Sequence, residues 1–351
     1  MKVAFIGSTG IPNRYGGFES FLESVGPVLV SKNVDVTVTC DLTKHPDGVG
    51  DFHGVKRVFL NIKANGILSP IHDLLAFLKV FNKVDAIVVL GVSAGPFFLL
   101  MRLICDLTKK KLLINVDGVE WRRDKFGFFA KCVLWIFDAL SQIAAHKIIY
   151  DNAALEIYIY PIFRHKSTLI PYSGDQVIRK FEIEKINGSA LTICRVEPEN
   201  NLELMIQAAL DANLNNYTII GNWNNSVYGS NLRNKYIKYP NLHLLDPIYD
   251  SGLISEFRES CDVYLHGHSV GGTNPSLVEM LFYDCDIYCF DCSFNRATAT
   301  VDVYYFSSAS DLSKQLRSKT SSVFIKKERK NLQKYQAKTI AENYIDAISA
   351  S

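Results

Sequence analysis

The residues best suited to chemistry are 266–279, His-Gly-His-Ser-Val-Gly-Gly-Thr-Asn-Pro-Ser-Leu-Val-Glu, where a glycine-rich turn separates a predicted strand from a predicted helix. Pro275 suits the first helical position. Together with the positive end of the helix dipole, three backbone N–H groups are predicted to be free to hold a diphosphate. They belong to Gly272, Thr273 and Asn274. Glu279, about one turn inside the helix, can accept hydrogen bonds from two neighbouring hydroxyls of a ribose or hexose. These residue types predict a nucleotide-sugar site.

Two histidines precede this turn. His266 and His268 alternate at the end of the predicted strand, so both imidazoles are expected beyond the carboxyl edge of a parallel sheet, where ligands bind. A purely structural turn is the alternative, because such turns recur in α/β proteins for steric reasons. A metal site is not expected, because no third ligand stands at a suitable spacing.

Length and composition predict a two-domain α/β protein. The 351 residues suit two domains of about 170 residues each. A net charge of +2 is too small to indicate nucleic-acid binding. No secretory signal opens the chain, so a cytoplasmic location is expected. Cys285, Cys289 and Cys292 lie close together and are expected to be buried thiols, with a metal or redox pair as the alternative.

A segment around residues 121–135 mixes cations with aromatic side chains, as in Arg122, Arg123, Lys125 and Trp121. Such a segment is typical of contact with an anionic membrane surface. The alternative is an amphipathic helix that packs its aromatic residues inward. The longest uncharged stretch falls short of the ~20 apolar residues of a spanning helix, so any membrane contact is expected to be peripheral.

The apolar pattern alternates between strands and helices along the whole chain. Strands are predicted at 2–6, 35–39, 55–60, 86–90, 111–116, 147–150, 167–170, 191–194, 217–220, 242–245, 263–266 and 287–290. In the second half, helices are predicted at 201–212, 226–239, 248–260 and 275–283. We predict two Rossmann-like domains, 1–172 and 173–325, facing each other across a cleft, with a linker near 171–188. A charged helix within 326–351 is predicted to cross back to the first domain.

The loop after the first strand does not match the dinucleotide fingerprint, because two residues separate Gly7 from Gly10, and Gly16 and Gly17 come only later. A long flexible loop that ends in Gly-Gly at a helix start can still close over a ligand.

Several stretches resemble one known family, the retaining GT-B glycosyltransferases of family four, and particularly bacterial rhamnosyltransferases of cell-surface polysaccharide assembly. The matching stretches are 11–20 (Ile-Pro-Asn-Arg-Tyr-Gly-Gly-Phe-Glu-Ser), 117–125 (Asp-Gly-Val-Glu-Trp-Arg-Arg-Asp-Lys), 170–175, 195–201 and 268–279. The resemblance implies that the C-terminal domain binds a nucleotide-diphospho-sugar and that the N-terminal domain presents the acceptor.

The resemblance also implies roles for individual residues. Arg195 matches a diphosphate contact, for which a guanidinium fork is well suited, and Glu279 matches the carboxylate that holds the ribose. The glycine-rich turn matches the loop at the donor phosphates, and Gly16 and Gly17 match the mobile loop opposite.

Two departures bear on the donor. Family members commonly carry a second glutamate where this chain has Gly271, and a lysine where it has 199–201. The branch that resembles this chain uses dTDP-rhamnose, and a deoxysugar offers fewer hydroxyls to hold. The predicted donor is therefore dTDP-rhamnose, with UDP- or GDP-hexoses as alternatives. A nucleotide-sugar epimerase and a non-catalytic nucleotide-sugar-binding scaffold are further alternatives.

Four side chains are the candidate catalytic residues. Asp117 and Asp151 follow predicted strands, so both carboxylates are expected at carboxyl edges, although Asp151 could instead cap the next helix. Tyr172 is a candidate contact for the sugar or its phosphate, and His268 a candidate replacement for the missing glutamate. The resemblance implies transfer on the front face of the sugar. No metal is expected, since no Asp-x-Asp pair ends a strand.

The predicted acceptor is a saccharide on a polyprenyl diphosphate, at the inner face of the cytoplasmic membrane, in O-antigen or capsule synthesis. Cations would contact its phosphates, and aromatic side chains would lie at the membrane interface. The residues predicted to contact it are Glu120, Trp121, Arg122, Arg123 and Lys125.

Overall fold

The computed structural model describes residues 1–46, 48–123, 126–177, 183–299, 303–319 and 332–350. They form two compact units. The first unit comprises Met1–Ser173, Gly271–Pro275 and Gln333–Ser351, and the second comprises Gly174–Val270 and Ser276–Leu332. The glycine-rich turn therefore belongs with the N-terminal half of the chain.

Each unit is built on one parallel sheet. The strands are β1 Lys2–Ile6, β2 Asp35–Asp41, β3 Lys56–Leu60, β4 Ala86–Leu90, β5 Lys111–Asn115, β6 Lys147–Tyr150, β7 Ser167–Leu169, β8 Ile186–Ile193, β9 Asn216–Ile220, β10 Leu242–Leu245, β11 Cys261–His266, β12 Asp286–Phe290 and β13 Tyr304–Phe306. The first sheet has the order β3-β2-β1-β4-β5-β6-β7, and the second β10-β9-β8-β11-β12-β13. The predicted α/β class with two Rossmann-like units is confirmed.

The helices cover the faces of these sheets. They are α1 Gly17–Ser31, α2 Ser69–Val80, α3 Phe98–Leu107, α4 Phe128–Ala144, α5 Leu202–Asp211, α6 Val227–Tyr236, α7 Ser251–Ser260, α8 Pro275–Met280, α9 Ser293–Thr298, α10 Ala309–Lys319 and α11 Ala337–Ser349. Among the described helices, none combines the length and the apolarity that crossing a bilayer requires.

The C-terminal helix completes the first unit. Tyr344 of α11 packs its ring 5.7 Å from Phe5 of β1 and 5.1 Å from Phe21 of α1, measured between ring centroids. The predicted return of this helix to the first domain is confirmed. It begins at Ala337, and residues 326–331 of the predicted helix lie outside the described residues.

Continuous apolar runs explain why most strands were predictable. β4 reads Ala-Ile-Val-Val-Leu and is buried throughout, as expected for a parallel strand covered on both faces. β8 begins at Ile186, inside the predicted linker. Its start was not predicted, because its first residues are exposed and are followed by Gly188. β13 was not predicted at all. Its three residues, Tyr304–Phe306, are too few to show a periodicity.

Candidate functional site

Two carboxylates of the first unit follow neighbouring parallel strands. Asp117 lies two residues beyond β5, and Asp151 lies directly beyond β6. Asp117 adopts a left-handed backbone with φ of 58°, and its N–H donates to Asn115 Oδ1 at 3.0 Å. Because it is half-buried, Asp117 retains access to solvent. The topology thus places both candidate catalytic carboxylates at the same sheet edge.

Asp151 is buried against the glycine-rich turn. Its Oδ1 accepts the Thr273 N–H at 3.0 Å, and its backbone carbonyl accepts the Thr273 hydroxyl. Among the described residues, Asp151 Oδ2 is buried without a hydrogen-bond partner. Burial, and then the charge of Asp117, raise the pKa of Asp151 to about 8. The side chain is therefore protonated near neutral pH, which lets it hold the turn without a buried charge.

Close packing explains the glycines of this turn. A Cβ on Gly272 would lie 2.0 Å from Asp151 Oδ1, and a Cβ on Gly118 would lie 2.8 Å from Gly271 Cα. Gly271 itself has φ of 127°, a region that side chains rarely adopt. The expectation of a free Thr273 amide is wrong, because Asp151 engages it. This part of the turn has the structural role that was the alternative interpretation.

Asn152, rather than Asp151, caps the following short helix. Its Oδ1 accepts the Ala154 N–H at 2.9 Å, and its Nδ2 lies 3.4 Å from the Thr273 hydroxyl. The capping alternative for Asp151 is therefore wrong, because its carboxylate is turned to Thr273. Asn152 was not predicted, although an Asn before a helical stretch is a usual cap.

Tyr172 lies in the core of the first unit. Its ring packs 6.1 Å from the rings of Phe18 and Phe21, and only 6% of the residue is exposed. Burial and then the charges of Asp151 and Asp117 raise its pKa well above the usual value. Tyr172 is thus a neutral packing neighbour of the two carboxylates, and its contact with a sugar stays a prediction.

The loop before α1 is tied to that helix. Gly16 precedes α1 and Gly17 begins it, as predicted. Glu19 is buried and accepts both the N–H and the hydroxyl of Thr9, at 2.7 and 2.8 Å. This contact was not predictable from residue spacing. Glu23 accepts the Asn13 N–H at 2.7 Å. The expected flexible loop is therefore held at two points along its length.

The predicted acceptor segment is only partly available for contact. Glu120 and Arg123 form an ion pair at 2.9 Å, and Arg123 is buried. Trp121 packs edge-on to Tyr158 at 6.2 Å. The exposed Arg122 donates to the Tyr158 hydroxyl and lies 5.6 Å over its ring. Arg122 is the better candidate to bind an anionic acceptor, since Glu120 already neutralises the charge of Arg123. Lys125 lies outside the described residues.

In the second unit, Arg195 lies two residues beyond β8 with an exposed side chain. Its carbonyl accepts hydrogen bonds from the Asn200 side-chain amide at 2.7 Å and from the Glu197 N–H at 3.0 Å. These bonds hold the backbone in place. Among the described residues, none forms an ion pair with the Arg195 guanidinium. Such a group is suited to bind an anion.

Glu279 is held by a buried ion pair. Its carboxylate accepts from Arg258 of α7 and, at 3.2 Å, from the Gln176 side-chain amide. Burial raises the pKa of Glu279, and the charge of Arg258 opposes that shift. Arg258 was not predicted as a partner of Glu279. Its signal was a cation on the apolar side of α7, four residues after the buried Ile254.

The two histidines have different surroundings. His268 Nδ1 lies 2.8 Å from Asn200 Oδ1, and the His268 carbonyl accepts from the Asn295 side chain at 2.7 Å. His266 ends β11, and burial lowers its pKa to about 3, so it is neutral. The prediction that both imidazoles face a ligand crevice is wrong for His266, because its ring is enclosed by the core. The described residues contain no group of three or more His, Cys, Asp or Glu side chains arranged to hold a metal.

A family model matches residues 1–175, just under half of the chain, and is described as a domain of unknown function, DUF1972. No curated protein matches this sequence.

Solved structures resemble the chain over its whole length. Sucrose-phosphate synthase from Thermosynechococcus elongatus is 12% identical, with a TM-score of 0.72 over 99% of this chain and 94% of that one. The catalytic domain of starch synthase IV from Arabidopsis thaliana is 10% identical, with a TM-score of 0.72 over 99% and 98%. A putative UDP-N-acetylglucosamine 2-epimerase from Listeria monocytogenes is 11% identical, with a TM-score of 0.60 over 99% and 96%. Together with the two parallel sheets, these similarities define the chain as a GT-B fold protein.

Proposed function

We propose that this protein is a retaining glycosyltransferase that passes a sugar from a nucleotide diphosphate to a saccharide acceptor. The observation that carries the proposal is the exposed guanidinium of Arg195 beyond β8, in a fold matched along 99% of the chain. A guanidinium there supplies two parallel hydrogen bonds to phosphate oxygens. The starch synthase neighbour is bound to ADP and acarbose, a nucleotide and a saccharide.

Donor binding in the second unit rests on Arg195 and Glu279. Arg258 and Gln176 each occupy one oxygen of the Glu279 carboxylate. Each carboxylate oxygen has a further lone-pair direction, which suits the two hydroxyls of a ribose. Arg258 is therefore the positioning residue of the ribose contact. The resemblance adds the amides of Gly272 and Asn274 and the Gly16–Gly17 helix start as phosphate contacts.

In the reaction, the leaving diphosphate takes the proton of the acceptor hydroxyl as the sugar gains oxocarbenium character. Arg195 stabilises the charge that grows on the diphosphate, a role for which loss of one donor costs about 10²-fold in rate. Asp117 is half-buried and is therefore the better candidate to contact a substrate than Asp151, which is buried and holds Thr273. His268 contacts the transferred sugar in this proposal. No metal is required, since Arg195 and the amides meet the phosphate charge.

The proposed donor is dTDP-rhamnose. Gly271 stands where family members have a glutamate, and its φ of 127° disfavours any side chain at that position. Without that carboxylate, fewer sugar hydroxyls can be held, which suits a deoxyhexose. A UDP- or GDP-hexose is the alternative donor.

The proposed acceptor is a polyprenyl-diphosphate-linked saccharide of O-antigen or capsule synthesis, reached from the cytoplasmic side of the membrane. The exposed Arg122 supports this proposal, since it offers a cation beside the Trp121 and Tyr158 rings. An anionic acceptor with a long apolar chain matches those surroundings.

Mass spectrometry tests the proposal. Purified protein is incubated with a panel of nucleotide sugars and a synthetic lipid-diphosphate-GlcNAc. Gain of a deoxyhexose mass supports the full proposal, whereas gain of a hexose supports the transferase but replaces the donor. Nucleotide release without acceptor would indicate an epimerase, the activity named for one fold neighbour, and donor binding without turnover would indicate a scaffold.

A matched pair of variants locates the site. Arg195→Ala should lower the transfer rate about 10²-fold. Arg296→Ala is the control, because Arg296 is also exposed on the second unit but is paired with Asp291 at 2.6 Å. Equal activity of the two variants would remove Arg195 from the site.

A further inference from the structure

Three helices cover one face of the first sheet. α2, α3 and α4 connect β3 to β4, β4 to β5 and β5 to β6, and these crossovers all advance in the same direction along the sheet. Right-handed crossovers with the same direction place their helices on the same face. All three helices contact the short helix Gly95–Phe97, and α3 packs along α4. They form one layer, called here the α2–α4 layer.

The outer side of α2 is apolar. Leu68, Ile71, Leu75 and Leu78 are 42–45% exposed. Their spacing of three or four residues aligns them along one side of the helix. The opposite side buries residues such as Phe77 in the core. α2 therefore has two apolar sides, of which the core covers only one.

The outer side of α3 repeats this pattern. Leu99, Leu103 and Leu107 stand four residues apart, and their exposure rises along the helix to 76% at Leu107. The inner side buries Phe98 and Met101. A row of exposed leucines on a second, adjacent helix extends the apolar surface beyond what isolated surface residues produce.

α4 reverses the usual arrangement of a surface helix. Of its 17 residues, the buried ones are small or polar, namely Ser141, Gln142 and Ala144. Large apolar side chains point outward instead, including Phe129 at 84% exposure, together with Phe128, Val133, Trp135 and Ile136. A helix in contact with water has the opposite pattern. The outer side of α4 therefore requires an apolar environment.

Two of the three acidic groups on this layer are buried or paired. Each of the three helices has one acidic residue. Asp73 is buried in the core, and partial burial raises the pKa of Asp138 to about 6. Asp106 is paired with Arg102 and His146, at 2.8 Å each.

Cations remain at the borders of the same layer. Lys79 lies in the last turn of α2, and Lys109 follows α3. The outer surface thus combines large apolar side chains with bordering positive charge.

We infer that the α2–α4 layer docks on the surface of a bilayer that contains anionic lipids, with the helices lying in the plane of the interface. Apolar side chains enter the boundary of the acyl region, and the bordering lysines meet anionic headgroups. This docking surface extends the membrane association of the proposed function, and its functional role rests on that proposal. α4 packs against the Glu120–Arg122 segment, so docking brings that segment close to lipid-linked molecules.

A second copy of the chain is the competing occupant. Two copies meeting through this layer would bring the exposed lysines together, because Asp73 is buried and Asp106 is already paired with Arg102. Like charges across an interface oppose association. Anionic headgroups complement the same cations, so the charge pattern favours lipid.

Vesicle flotation of the full-length protein, without donor or acceptor, tests the inference. The protein should float with phosphatidylcholine–phosphatidylglycerol vesicles, less with phosphatidylcholine alone, and less at high salt. Replacing Phe128 and Phe129 with Gln should lower the partition coefficient about tenfold for each side chain removed. Val227→Gln is the control, since Val227 is 78% exposed on the second unit.

Three results would overturn the inference. One is absence of flotation with the anionic vesicles, and another is equal flotation of the double Phe variant and the wild type. A third is the finding that the wild type is a dimer and that the Phe128 and Phe129 substitutions dissociate it. A second copy of the chain, rather than lipid, would then cover the α2–α4 layer. Unchanged circular dichroism shows that each variant is folded. Transfer to a water-soluble acceptor is measured separately, so failure of flotation and failure of the transferase proposal are distinguishable.

Discussion

Asp151→Asn gives the sharpest prediction about the first unit. In the folded chain the pKa of Asp151 is raised to about 8, first by burial and then by the charge of Asp117. In the unfolded chain the pKa of an aspartate is about 3.9. Between these two pH values the folded chain binds one more proton than the unfolded chain. The free energy of unfolding therefore falls as pH rises through this window.

The magnitude follows from proton linkage. One extra bound proton lowers the free energy of unfolding by about 1.4 kcal/mol for each pH unit, or roughly 2–3 kcal/mol from about pH 5 to about pH 7. Asparagine is neutral at every pH, and its Oδ1 can still accept the Thr273 N–H, which Asp151 accepts at 3.0 Å. The variant should therefore lose this part of the pH dependence and be more stable than the wild type above neutral pH.

Urea unfolding at a series of pH values measures the effect, with hydrogen-exchange mass spectrometry of β5 and β6 peptides reporting the first unit alone. Asp51→Asn serves as the control, because Asp51 is exposed, and it should leave the wild-type slope unchanged. Parallel curves for the wild type and Asp151→Asn would refute the reasoning, since Asp151 would then be ionised in the fold.

Three further substitutions test the packing of the site. Arg258→Ala and Glu279→Ala should each destabilise the second unit by about 3–5 kcal/mol, because each leaves a buried charge unpaired. The double variant should cost less than the sum of the two in urea unfolding, and additive losses would contradict the ion pair. Gly272→Ala should displace the turn from Asp151, since the new Cβ would lie 2.0 Å from Oδ1. The transfer activity of Gly272→Ala should fall sharply. Gly127→Ala is the control and should be active, because nothing lies within 4 Å of its new Cβ. Equal activities of the two variants would contradict the account.

The sequence predicted most of the fold because its strands are continuous apolar runs. β1, β4, β6 and β10 have the predicted bounds, since their buried residues are bordered by polar or glycine residues. The start of β8 was missed because Ile186 and Asn187 are exposed and are followed by Gly188.

Positions along the chain were easier to predict than side-chain partners. Asp117 and Asp151 follow their strands as expected, because parallel strands end at a common edge. The partners of Glu279 and Thr273 could not be predicted, since Arg258 and Asp151 stand 21 and 122 residues away in the sequence. Sequence periodicity reports which face a residue occupies, and it carries no information about which distant side chain it meets.

The most direct test of the central claim is the fate of the sugar. Purified protein, dTDP-rhamnose and lipid-diphosphate-GlcNAc should yield dTDP and an acceptor heavier by one deoxyhexose, in equal amounts. The new glycosidic bond should keep the anomeric configuration of the donor, as read by nuclear magnetic resonance. An acceptor of unchanged mass with every nucleotide sugar supplied would contradict the account.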